Sequence, residues 1–271
     1  MTTETDAADD AGSLKQFEVH HDGVTIAVSR GGRGRPLVLC PGLLSTQAAL
    51  RELISLLRRD YDVVTFDLRG HGLSSAAGDY TFDAFLSDLT AVLAELTRRG
   101  LSSPPLLMGY SLGADLAVHY AAAHPGALAG LVLVDGANPV PEPFVTEADL
   151  AEFTGMAEAF AEQAETAVGT PHQVLLAPPD IVGLNVAIDG VRSEILGRYR
   201  EIGGPVRMIM STAMAGTGGE GRGPWRNRNW RAGINRLLGE RPDIAVSWLE
   251  ADHRLVMTHA AEIARIVRAA S

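Results

Sequence analysis

Ser111 lies between two glycines in the run Leu106-Leu107-Met108-Gly109-Tyr110-Ser111-Leu112-Gly113-Ala114. The run reads as a short apolar strand, a sharp turn with the serine at its apex, and the start of a helix. So tight a turn strains its apex residue and needs small neighbours two positions away, so that strand and helix can pass closely. The turn pushes the hydroxyl into the open and aims the first N–H groups of the helix at whatever the hydroxyl attacks. The chemistry this suits is nucleophilic attack on an acyl carbon. A free serine hydroxyl is a weak nucleophile, so a base must stand beside it.

The surrounding pattern supplies elements to hold such a group. Phe17–His21 and Val24–Val28 flank Asp22-Gly23, a hairpin signal. Leu37–Cys40 is a continuous apolar run, as in strands buried on both faces of a parallel sheet. A helix capped near Ser45 or Thr46 is expected next, then a strand at Val63–Asp67 and a turn at Arg69-Gly70-His71-Gly72. An amphipathic helix is expected from about Phe82 to Arg99, with Phe85, Leu89, Val92, Leu93 and Leu96 on one face. The serine turn and its helix follow, ended by Pro125-Gly126, and then a strand at Leu131–Asp135. Strands alternating with helices imply a mainly parallel sheet with right-handed crossovers.

The alternation stops near Asn138. From Pro139 to Pro205 the period is helical, opening on Thr146-Glu147-Ala148-Asp149, which resembles a capping box. The strand pattern resumes at Val206–Met210. A glycine-rich loop, a helix from Pro224 to just before Gly239, a last strand at Ala245–Leu249 and a C-terminal helix complete the chain. The expected organisation is a tail over 1–14, a core over 15–138 and 205–271, and an inserted helical cap over 139–204.

Composition narrows the function classes. The 271 residues are 46% hydrophobic, enough for a large α/β core. A formal net charge of −10 argues against nucleic-acid and anionic-membrane partners. A single cysteine, Cys40, cannot form an intrachain disulfide or a cysteine-built metal site and is expected in the buried strand. No apolar run is long enough to span a bilayer. Met1–Gly12 carries Glu4, Asp6, Asp9 and Asp10, with no basic or apolar leader region, and reads as a disordered acidic tail. The default location is cytoplasmic.

The residues Pro41-Gly42, Asp67-Leu68-Arg69-Gly70-His71-Gly72, Gly109-Tyr110-Ser111-Leu112-Gly113 and Asp252-His253, each after a predicted strand, resemble the α/β-hydrolase superfamily. The likeness runs from about Phe17 to the C-terminus. It implies an eight-stranded, mostly parallel sheet with flanking helices and an inserted helical cap. It also implies a triad in the order serine, acid, histidine. Ser111 is then the nucleophile and His253, among eight histidines, the general base. The implied oxyanion hole is the backbone N–H of Leu112 and that of Leu43. Most relatives place the acid after the seventh strand, where this chain has no acid before Glu220. Asp135, after the sixth strand, is the choice; Glu220 and an acid-free dyad stay open. Asp252 should point away from its neighbour His253.

Arg222, Trp225, Arg226, Arg228, Trp230 and Arg231 form a basic and aromatic stretch. It is read as a solvated helix face with Trp230, Ile234, Leu237 and Leu238 packed inward; contact with an anionic substrate or acyl carrier is the functional alternative. The expected activity is hydrolysis of an ester, lactone, thioester or related acyl bond of a small, mostly apolar substrate, with no cofactor and no metal. A non-hydrolytic enzyme of the same fold or a small-ligand receptor is the rival reading. The sequence leaves the oligomeric state unknown.

Overall fold

The computed structural model describes residues 14–218 and 221–269. Eight strands form one sheet in the order β1-β2-β4-β3-β5-β6-β7-β8. β1 (Lys15–His21) and β2 (Val24–Gly32) form the expected hairpin, with positive φ at both Asp22 and Gly23. β2 also runs antiparallel to β4 (Tyr61–Phe66), and all later pairings are parallel. The parallel set is β4, β3 (Arg35–Cys40), β5 (Leu106–Tyr110), β6 (Gly130–Val134), β7 (Val206–Ser211) and β8 (Ala245–Leu249).

Alternate side chains of the central strands feed two cores, one on each face, which is why these strands read as unbroken apolar runs. Leu37 and Leu39, with Met108, Val132 and Val134, pack against α1 (Arg51–Leu57), α7 (Leu255–Thr258) and α8 (Ala260–Arg268). Val38, Cys40, Leu107, Leu131 and Leu133 face α2 (Phe82–Arg98), α3 (Leu112–Ala123) and α6 (Gly223–Glu240). Each fully buried Leu or Val side chain contributes about 1.5–3 kcal/mol.

β4 and β5 lie on opposite sides of β3, so the strand order reverses there. Such a reversal opens a crevice at the carboxyl ends of the strands. Between β6 and β7 stand α4 (Leu150–Ala164) and α5 (Pro178–Glu201), preceded by a 3₁₀ turn whose capping box joins Thr146 and Asp149. In this segment the backbone pairs with the sheet region at an isolated bridge, Val174 with His71.

Two helix limits differ from the sequence pattern. α1 begins at Arg51 rather than near Ser45 or Thr46. Leu44 takes φ 63°, and the Thr46 hydroxyl accepts the Ala49 N–H, closing a separate turn first. α6 runs through Gly239 to Glu240. Gly239 is therefore not its terminator; Trp230, Ile234 and Leu237 are buried along the helix, and that packing outweighs the propensity cost of one glycine. Among the described residues no helix is long and apolar enough to cross a membrane.

Candidate active site

Ser111 sits between β5 and α3 with φ 52° and ψ −119°. The two flanking glycines are needed because a Cβ on Gly109 would overlap the Gly113 carbonyl, and one on Gly113 would overlap the carbonyls of Cys40 and Pro41. Gly136, which no sequence motif marks, is a third such position: its Cβ would strike the Ser111 carbonyl. The ends of β5 and β6 can approach because that position is bare. Asp135 and Ala137, on either side of it, also have positive φ, 46° and 52°. Strained backbone of this kind gathers at functional sites, at about 1–3 kcal/mol per residue.

The fold brings Ser111, His253 and Asp135 into one line. His253 Nε2 lies 2.9 Å from Ser111 Oγ, and His253 Nδ1 lies 2.8 Å from Asp135 Oδ2. Their separations in sequence are 142 and 118 residues. Asp135 is fully buried. A carboxylate facing Nδ1 fixes the proton there and leaves Nε2 as the acceptor for a serine hydroxyl. Asp252 instead accepts the Arg254 N–H and does not touch the His253 ring. Glu220 lies outside the described residues, as does the tail up to residue 13.

Asp135 is held by groups that the sequence did not reveal. Its Oδ1 accepts the Ser211 N–H (2.8 Å), the Ser211 hydroxyl (2.9 Å) and the Trp230 indole N–H (3.1 Å). Trp230 was expected to pack inward, and it does, but its ring also carries a donor to the buried carboxylate. Arg192 of α5 lies over that ring, 5.5 Å from its centre, and makes a bidentate pair with buried Asp115 of α3. Burial alone would lower the Arg192 pKa; the Asp115 charge and hydrogen bonds, with Asp189 and Asp135 nearby, raise it on balance. Tyr110 donates to the His253 carbonyl at 2.7 Å, and burial, then the Asp135 and Asp252 charges, push its hydroxyl pKa up.

Leu112 opens α3 directly after Ser111, and Leu43 lies in the loop after β3. Neither N–H has a hydrogen-bond partner among the described residues, and Leu43 shares a cavity with Ser111. His71 shapes this loop. Its Nε2 accepts the Leu44 N–H at 3.1 Å while Nδ1 faces the Arg69 carbonyl at 2.8 Å. Burial lowers its pKa to about 4, the Arg69 bond opposing only in part, so it is neutral near pH 7. Cys40 ends β3 just before the loop; burial raises its thiol pKa far above the ordinary range, leaving it inert.

The cavity above Ser111 has a volume of about 430 Å³. Leu43, Phe144, Phe153, Met156 and Met214 supply apolar surface, and Arg226 and Glu152 stand among the polar groups. The basic stretch of α6 is not a plain solvated face. Arg222 and Arg226 both reach Asp149, and Arg226 also pairs with Glu152 of α4. These pairs fasten α6 to the inserted helices.

A family model described as the alpha/beta hydrolase fold matches residues 35–175, just over half of the chain. The chain belongs to the α/β-hydrolase family. N-formylmaleamate deformylase of Pseudomonas putida is 40% identical over 107 residues, 39% of this chain and 38% of the relative. A non-heme haloperoxidase of Rhodococcus erythropolis is 32% identical over 127 residues, 46% of this chain and 45% of that protein. The aligned stretch thus spans under half the length of these curated relatives. Among solved structures, an esterase from Exiguobacterium antarcticum superposes with a TM-score of 0.71 at 16% identity, covering 94% of this chain and 98% of the other. The thioesterase domain from the curacin biosynthetic pathway gives 0.66 at 21%, with 95% and 99% covered. At these identities the superpositions speak for the fold, as expected from the strand pattern.

Proposed function

We propose that the protein is a serine hydrolase that cleaves an acyl bond of a small substrate through an acyl-enzyme. The observation that carries this reading is the hydrogen-bonded line Ser111–His253–Asp135, at 2.9 and 2.8 Å. Ser111 Oγ attacks the acyl carbon while His253 Nε2 takes its proton. Asp135 holds the ring and stabilises the imidazolium. The Leu43 and Leu112 N–H groups face the oxyanion as it forms, a contribution of about 3–4 kcal/mol per donor in comparable sites. The proton on His253 passes to the leaving group as its bond to carbon breaks. A water then repeats the sequence on the acyl-enzyme, releasing the acid and restoring Ser111.

Residues 139–204 act in this reading as a cap that excludes water and shapes the substrate side of the cavity. The names of the relatives, a deformylase, an esterase and a thioesterase, support acyl-bond chemistry of this kind. The test is intact mass after incubation with a fluorophosphonate. One adduct is expected on the wild type, none on Ser111→Ala, and slowed labelling on His253→Ala and Asp135→Asn. No adduct on folded wild type would sink the hydrolase reading in favour of a non-hydrolytic or ligand-binding role.

A further inference from the structure

Apart from Arg226 and Glu152, which pair with each other, the cavity has a polar wall on α5. Asn185, Asp189 and Arg192 occupy positions i, i+4 and i+7 of α5, a single helical face, and all three line the cavity that holds Ser111 and His253. None of them is saturated. Arg192 spends Nε and Nη2 on Asp115, and its Nη1 has no partner among the described residues. Asp189 Oδ2 accepts the Val145 N–H at 3.1 Å, while Oδ1 is enclosed without a partner. Asn185 gives its amide N–H to the Ile181 carbonyl and keeps its own carbonyl oxygen free among the described residues.

Arg192 Nη1 and the Asn185 carbonyl oxygen thus set a donor and an acceptor side by side on the cavity wall, and Asp189 Oδ2 has a second lone pair to offer. A plain acyl chain would leave all of them unmet. A carboxylate would meet Arg192 but face the like charge of Asp189. A neutral amide fits both signs, since its carbonyl can accept from Arg192 Nη1 and its N–H can donate to Asp189 or Asn185. We propose that the acyl substrate carries an amide group away from the scissile bond, and that the Asn185–Asp189–Arg192 face of α5 recognises it. The inference rests on the serine-hydrolase reading for which bond is cut, but not for what is bound.

The test therefore measures binding on Ser111→Ala, which cannot form an acyl-enzyme. The probes are methyl N-acetyl-β-alaninate and methyl hexanoate, matched in chain length, titrated by calorimetry. In an apolar cavity the hexanoate would bind roughly tenfold tighter or more, because two methylene groups are lost in the amide. The expected result is that the amide ester binds at least as tightly. Its advantage should fall roughly tenfold when Asp189→Asn or Asn185→Leu is added to Ser111→Ala. Asp189→Asn keeps an acceptor for the Val145 N–H, and half-buried Asn185 tolerates an apolar side chain, so folding is preserved. Tighter binding of the hexanoate, no measurable binding of either ester, or a preference that survives both substitutions overturns the proposal. Failure of fluorophosphonate labelling is a separate readout that strikes the hydrolase reading alone.

Discussion

Replacing Trp230 by Phe removes one hydrogen bond to Asp135. Four donor groups meet the Asp135 carboxylate among the described residues: the Ser211 N–H, the Ser211 hydroxyl, the Trp230 indole and His253. Phe keeps an aromatic ring near Arg192 but removes the indole donor and, with it, some of the volume of a fully buried side chain. Asp135 is fully buried, so no solvent replaces the lost bond. A hydrogen bond to a charged group contributes about 1.5–3 kcal/mol, and three donors remain to share the charge, so the lower end applies. That corresponds to about a tenfold loss in kcat/KM. Part of the loss should fall on kcat, through the Asp135 bond, and part on KM, since the Trp230 ring also lines the cavity. The assay is ester hydrolysis from pH 5 to 9, on enzyme counted by fluorophosphonate titration so that misfolded protein is excluded. A kcat/KM within twofold of wild type would refute the idea that the indole N–H supports Asp135.

Two further predictions concern the frame. The His71 pKa falls from an ordinary 6.5 to about 4 in the folded state, so between these values the unfolded chain binds more protons. Stability should decline as the pH falls from 6.5 toward 4, by roughly 3 kcal/mol in all, and urea titrations should show His71→Asn with a flatter slope in that window. Asp88→Ala leaves the buried Arg69 guanidinium without its bidentate partner, at 2.7 and 2.9 Å, and should cost about 3–5 kcal/mol in urea unfolding; a loss under about 1 kcal/mol would contradict the reasoning.

The parts of the site that were legible are those written in local pattern. Gly109-Tyr110-Ser111-Leu112-Gly113 betrays its own turn, because strand, apex and helix are contiguous and the two glycines are required by contacts within a few residues. The strands of the sheet were legible because burial on both faces leaves unbroken apolar runs. Asp135 was harder, since its position after β6 departs from the commoner arrangement. The structure sets it beside His253, and a positive φ and the bare Gly136 let β6 end there. The donors around it were not legible. Trp230 reaches Asp135 across 95 residues and Arg192 reaches Asp115 across 77, and only the packing of α5 on α3 and the approach of α6 to the end of β6 create those contacts. No periodicity distinguishes a tryptophan that fills a core from one that also donates to a carboxylate. The pairing of Arg222 and Arg226 with Asp149 was hidden for the same reason.

That last pairing gives the protein a sensitivity to ionic strength. Asp149 is almost wholly enclosed, yet Arg222 and Glu152 stand partly in solvent, so the fastening between α6 and the inserted helices is half exposed to counterions. The screening length shrinks from about 30 Å at 0.01 M salt to about 3 Å at 1 M, and partly exposed pairs weaken with it. The apolar contacts between Phe144 and the rings of Trp225 and Trp230 run along the same boundary and do not weaken with salt. Salt therefore loosens the charged side of the join while its aromatic side holds. Raising the salt concentration is expected to shift the charged edge of the cavity while its aromatic edge keeps its place.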